Sequence, residues 1–258
     1  MDTKTITIEA RDGEKLHADW LETTGTSTGR RPIAILCHGF RGDRQEWGRF
    51  PEAAAALGRS GIDALFFDFT GCGENPRKPV MLSKQVSDLE DVYQWARKQN
   101  YTRIATIGLS FGGLTSLLAN LPGRSVAVFW APALYMHKSI GKAKLLLGKM
   151  ATAFGRHLKI SAVSGYIIVN RKFFEDIENV IPKIDGILSN FETPSLIVQG
   201  LADRAVHPEW TRAAFAHMPR DDHHKLVEVP GATHDFKGTE LACFIEESIK
   251  FIQAHVPP

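Results

Sequence analysis

Three side chains spread along this 258-residue chain carry the groups that nucleophilic acyl transfer needs. Ser110 stands in "IATIGLSFGGLTSLLA" (104 to 119), between Gly108 and Gly112. A serine hydroxyl is a poor nucleophile at neutral pH, so it needs a positioned base, and the base needs an orienting acid. His234 in "ATHDF" and Asp203 in "LADRAVHP" supply that base and acid. The reaction also needs two backbone N–H groups aimed at the oxyanion that develops on the carbonyl. Phe111, directly after the serine at a helix N-terminus, offers one, and Phe40, in the loop "CHGFRGDR", offers the other.

These groups act together only if the elements carrying them end at one place. Ile104 to Ile107 read as a short buried strand and Gly113 to Ala119 as a helix. The turn between them is tight enough to strain its middle residue, and glycine on both flanks removes the clash. Asp203 follows the strand "PSLIVQG" and His234 follows the strand "HKLVEVPG", so both emerge at the same sheet edge as Ser110. The other runs complete the pattern. "KTITIEA" and "KLHADWLE" flank a turn as an antiparallel hairpin, and "PIAILCHG", "IDALFFDF" and "SVAVFWAP" are apolar enough to be buried on both faces. Helical stretches lie at about 49–60, 83–100 and 241–254. The expected fold is α/β: a doubly wound, mostly parallel eight-stranded sheet in a single domain over residues 1–258. Residues 134–188 separate two strands by more than a helical crossover needs, which predicts an inserted cap. Within it "KAKLLLGKMATAFGRHLKI" reads as helical, and "SGYIIVNRKFFEDI" as a strand leading into a helix.

The remaining titratable residues fit catalysis less well. His38 reads as structural, with Gly39 letting its loop turn. His207 and His217 lie in or after the Asp203 loop, His223 and His224 precede the last strand, and Asp235 points away from His234. The loop after Trp130, "APALYMHK", holds no acid. No spacing suggests a metal site, and no cofactor is expected. Arg41-Gly42-Asp43 spells an adhesion tripeptide, read here as chance. Cys37, Cys72 and Cys243 lack C-x-x-C spacing and read as thiols of a reducing compartment. "MDTKTITIEARDG" has no signal-peptide pattern and no run approaches a membrane span, so the expected location is the cytoplasm, without stable membrane insertion.

"HGF", "DFTGCGEN", "GLSFGG", "GLADRAVHP" and "GATHDF" fall in the order and spacing of the α/β-hydrolase superfamily, which the chain resembles over nearly its whole length. Within it, the chain is similar to bacterial serine esterases of the feruloyl and cinnamoyl type, which open with a similar "HGF" and carry a cap segment similar to "SGYIIVNRKFFEDI". The resemblance implies Ser110 as nucleophile, His234 as base and Asp203 as acid. The loop "FRGDRQEW" departs from it, because two arginines flank the oxyanion site. Arg41 in that loop and Tyr166 in the cap are candidate substrate contacts.

Charge is unevenly spread. The net charge is +2, yet no Asp or Glu occurs from Val92 to Phe174, a stretch with twelve Lys and Arg. Lys138, Lys142, Lys144, Lys149, Arg156 and Lys159 lie in the first part of the cap, where they form either an electropositive mouth for anionic esters or a solvated face. A membrane-facing cap is a third reading, since "KAKLLLGKM" combines leucines with lysines. Nucleic acid is not an expected partner, because the whole chain is near neutral and shows no recognition motif. The expected activity is hydrolysis of a small carboxylic ester. A thioesterase, acyltransferase, perhydrolase or exopeptidase would use the same groups, and a binding protein without turnover stands last.

Overall fold

The computed structural model describes residues 2–23 and 31–256. In chain order its strands are β1 (Asp2–Glu9), β2 (Lys15–Glu22), β3 (Ile33–Cys37), β4 (Asp63–Phe67), β5 (Pro79–Val80), β6 (Ile104–Leu109), β7 (Val126–Trp130), β8 (Leu158–Ala162), β9 (Gly165–Val169), β10 (Ser195–Gly200) and β11 (His224–Val229). Its helices are α1 (Arg49–Arg59), α2 (Leu82–Lys98), α3 (Phe111–Leu118), α4 (Met136–Ile140), α5 (Lys142–Ala151), α6 (Arg171–Val180), α7 (Ile184–Ser189), α8 (Pro208–Phe215) and α9 (Thr239–His255). Eight strands form one sheet in the order β1-β2-β4-β3-β6-β7-β10-β11. β2 pairs antiparallel with β1 and with β4, and every other pairing in that sheet is parallel. This is the α/β architecture the sequence predicts.

The inner strands are apolar throughout because each has two faces to bury. Successive side chains alternate across the sheet, so Ile33, Ile35 and Cys37 of β3 join one core while Ala34 and Leu36 join the other. Phe50, Ala54 and Leu57 of α1 and Phe244, Ile245 and Ile252 of α9 close the second core. Leu89, Val92 and Tyr93 of α2 and Leu114 of α3 pack in the first. Gly108 at the end of β6 pairs with Cys37 at the end of β3, and Leu109 with Trp130 at the end of β7. The loops that follow these strands therefore share one edge.

The segment between β7 and β10 rests on the first core through Leu145, Ile167, Val169, Phe173 and Ile177. Its β8–β9 hairpin joins β5 to make a small second sheet. The expected continuous helix stops at Ala151, and residues 158–162 form strand β8 instead. The Thr152 hydroxyl donates to the carbonyl of Gly148, Phe154 and Gly155 take positive φ, and Leu158–Ala162 finds a full antiparallel partner in β9. Pairing with a distant strand outweighs local helix propensity. The hairpin tip is fastened to the loop after β3. Val163 N–H donates to the Arg41 carbonyl at 3.0 Å, Arg41 Nε donates to the Ser161 carbonyl, and the Ser164 hydroxyl donates to Asp43 Oδ2.

Candidate active site

Ser110 occupies the single residue between β6 and α3, with φ 52° and ψ −113°. A side chain tolerates that region poorly, at a cost of about 1–3 kcal/mol. The surrounding backbone holds it there: Ser110 N–H donates to the Trp130 carbonyl at 2.8 Å, and its own carbonyl accepts from Gly113 at 3.0 Å and Ala133 at 2.9 Å. The flanking glycines are required by contact. A Cβ on Gly108 would lie 2.6 Å from the Gly112 carbonyl oxygen, and one on Gly112 would collide with the Cys37 carbonyl oxygen.

His234, after β11, reaches across to this turn. Its Nε2 lies 3.1 Å from Ser110 Oγ and its Nδ1 lies 2.7 Å from Asp203 Oδ2. With Nδ1–H donated to the carboxylate, Nε2 is left to accept the serine proton. Asp203 is 3% exposed and fully committed. Its Oδ1 accepts from the N–H groups of Ala205 and Val206, both at 2.8 Å, and its Oδ2 also accepts from Gln199 Nε2 at 3.3 Å. The structure thus brings together the three side chains singled out by spacing.

The Phe40 and Phe111 N–H groups donate to no protein acceptor among the described residues, and Phe111 opens α3, where intrahelical acceptors are lacking. His38 beneath them is wholly buried. Its Nδ1–H donates to the Gly39 carbonyl at 2.9 Å and its Nε2 accepts from Phe69 N–H at 3.2 Å. Burial lowers its pKa, which keeps the ring in that neutral tautomer. The rings of Phe40 and Phe111 meet Phe173 of α6 at 5.2 and 6.0 Å, packing α6 against the first core beside the Ser110 turn.

Two residues near the site escaped the sequence reading. Gln199 looks like an ordinary strand residue, yet it is buried and holds both Asp203 and the Val206 carbonyl. Glu46 belongs to a polar loop that reads as solvated, yet it is 1% exposed and accepts the Gly39 N–H at 3.2 Å. Burial lifts its carboxyl to about 7 despite the opposing Arg49 charge, and the His234 charge also acts on it. No periodicity or spacing marks either residue.

The sequence model of a family described as serine aminopeptidase, S33, matches residues 29–180, which include the loop after β3 and the Ser110 turn. The chain belongs to that family. Three-dimensional likeness agrees with its α/β-hydrolase fold. Est1E from Butyrivibrio proteoclasticus, in a structure with ferulic acid bound, aligns with a TM-score of 0.77 at 22% identity over 98% of this chain and 100% of that one. The Pyrococcus furiosus esterase Pf2001 aligns with a TM-score of 0.72 at 19% identity over 98% and 93%. In sequence, an uncharacterised Mycobacterium tuberculosis (strain H37Rv) protein is 30% identical over 119 residues, which spans 44% of this chain but only 40% of that relative's length.

In this member of the S33 family the two candidate substrate contacts lie at the hairpin. Arg41, with φ 69°, spends its Nε on the Ser161 carbonyl. The Tyr166 ring is 36% exposed and has Arg77 and Lys159 within 5.8 and 4.7 Å of its centroid. Arg44 is corrected: it does not flank the oxyanion site but is buried against Asp19 and Asp68, at 3.0 and 2.6 Å. Asp19, Asp68 and, at 3.0 Å, Glu74 surround its guanidinium and offset the hydration it loses on burial. Lys149 is paired with Glu178 at 2.7 Å, while Lys142, Lys144 and Arg156 make no ion pair among the described residues. No helix among the described residues is long and apolar enough to cross a membrane.

Proposed function

We propose that the chain hydrolyses carboxylic esters through an acyl-enzyme on Ser110. The observation that carries this reading is the unbroken relay from Ser110 Oγ through His234 to Asp203, at 3.1 and 2.7 Å, beside two N–H groups with no acceptor among the described residues. Ser110 Oγ attacks the ester carbonyl carbon and its proton passes to His234 Nε2. Asp203 keeps the imidazole oriented and offsets the charge it gains. The Phe40 and Phe111 N–H groups receive the oxyanion. The intermediate then expels the alcohol, which leaves with the proton from Nε2. Water repeats the sequence on the acyl-enzyme and releases the acid.

Residues 134–188 act as a cap over this site, with Phe173 of α6 packed on Phe40 and Phe111 beside the nucleophile. Est1E, whose structure holds ferulic acid, supports a feruloyl- or cinnamoyl-type substrate. The family's description favours a second reading, removal of an N-terminal residue from a peptide. The esterases Est1E and Pf2001, which align over nearly the whole chain, support the ester reading, and it is preferred. Wild type and Ser110→Ala are to be assayed on nitrophenyl esters, methyl ferulate, an anionic hydroxycinnamate ester, an acyl-CoA and an aminoacyl anilide. Ester turnover that falls at least ~10⁴-fold in Ser110→Ala is expected. Anilide turnover exceeding ester turnover would select the peptidase, and serine-independent activity would remove the triad.

A further inference from the structure

Glu46 sits where a surface glutamate has no reason to be. Its carboxyl is enclosed between the loop after β3 and the start of α1, with Oε2 on the Gly39 N–H at 3.2 Å and Oε1 on Arg49 at 3.1 Å. Arg49 Nε also donates to the Glu46 carbonyl at 3.1 Å, so the arginine grips both ends of the residue. The approach is close on every side. A Cβ on Gly39 would lie 3.4 Å from Ser110 Cβ and 3.7 Å from Glu46 Oε1, so that one α-carbon separates the nucleophile from the carboxyl. A Cβ on Gly42 would collide with Oε2 itself. The backbone is strained to place it, because Glu46 and Trp47 both take positive φ, 44° and 55°, just before Gly48 at 88°. Glycine or asparagine would adopt that conformation with less strain. Trp47 is 58% exposed and recovers little by packing. What the strained turn achieves is a carboxyl under the oxyanion loop.

We propose that Glu46 is a positioning residue of this site: ionised, it holds the oxyanion loop through the Gly39 amide and sets the charge beneath the Ser110–His234 pair. The proposal rests on Ser110 being the nucleophile. A carboxylate accepts an N–H more strongly than a neutral acid does. Protonation of Glu46 therefore loosens the peptide that precedes Phe40 and its oxyanion-binding N–H. The charges that face Glu46 are Arg49 from α1, Asp43 from its own loop and His234 from the loop after β11. The positive charge on His234 acts on Glu46 in the direction that favours its ionised carboxyl.

The test uses nitrophenyl acetate from about pH 5 to 9 with wild type, Glu46→Gln, Gly42→Ala and Ser110→Ala. Glu46→Gln should lose about tenfold or more in kcat with KM within about twofold, the pattern of a transition-state interaction. The acid limb of log(kcat/KM) should be steeper than one in wild type near pH 7, where protonation of Glu46 adds its own drop of about tenfold, and should return to about one in Glu46→Gln. Gly42→Ala keeps the carboxyl but pushes it off Gly39, and should lose kcat similarly. A second readout needs no turnover: the Gly39 amide proton resonance should titrate near pH 7 in wild type and stay flat in Glu46→Gln. An unchanged kcat and slope in folded Glu46→Gln, or a pH-independent Gly39 resonance in wild type, would overturn the proposal. Equal activity of Ser110→Ala and wild type would instead remove the ester reading, a separate result.

Discussion

At Glu46 burial of the carboxyl weakens the fold as pH rises. The carboxyl is held up near 7 in the folded protein against an ordinary value of 4.5, first because burial strips its solvation. The folded state therefore keeps a proton that the unfolded chain has already released, and stability falls as pH rises from about 4.5 through about 7. A difference of that size corresponds to about 3 kcal/mol. Glu46→Gln removes the titration, so its melting temperature should exceed that of wild type at pH 8, with the gap closing by pH 5. Parallel pH profiles of the two proteins in thermal melts would contradict this. A variant more stable but slower than wild type is the expected pairing when a residue is retained for what it positions.

Among the elements, the β8–β9 hairpin and the loop after β3 form one mechanical unit. Ser164 donates to Asp43 Oδ2, and Asp43 Oδ1 in turn accepts from the N–H groups of Gln45 at 3.0 Å and Glu46 at 3.2 Å. Arg77 adds a bond to the Ser164 carbonyl at 2.6 Å. A change in the hairpin should therefore reach the site without touching substrate. Ser164→Ala is expected to raise KM for aryl esters about threefold or more and to leave the melting temperature within about 2 °C, since one half-exposed hydrogen bond is worth about 1 kcal/mol. Steady-state kinetics and a thermal melt on the same preparation check both parts. Unchanged KM would mean that hairpin and loop move independently.

For the whole molecule the relevant quantity is how charge is distributed rather than its sum. The stretch from Val92 to Phe174 carries twelve basic and no acidic residues, while the rest of the chain has 19 basic against 29 acidic. Lys142 and Lys144 on α5 and Arg156 just beyond it are exposed cations that a long-range field would draw on. Raising salt from about 50 to 500 mM shortens the screening length severalfold. If these cations face the pocket mouth, kcat/KM for an anionic ester should fall severalfold over that range while its neutral analogue stays flat. Equal salt responses would place the lysines on a solvated face with no part in selection.

Much of the fold was legible because burial on both sheet faces leaves an unmistakable mark. Runs such as "AILC" and "ALFF" have no polar side, and Gly-x-Ser-x-Gly between strand and helix has few other uses. The order of Ser110, Asp203 and His234 after successive strands also followed from local pattern. The helix expected over 142–160 failed because Leu158–Ala162 is claimed by a partner strand that local propensity does not see. Glu46, Gln199 and Arg44 were invisible for a related reason: a polar residue in a loop or strand looks solvated until a distant element closes over it. Sequence alone determined the architecture and the chemistry on offer, since both are written in periodicity and residue type. Tertiary structure decided which polar groups lost their water, because desolvation depends on neighbours far along the chain.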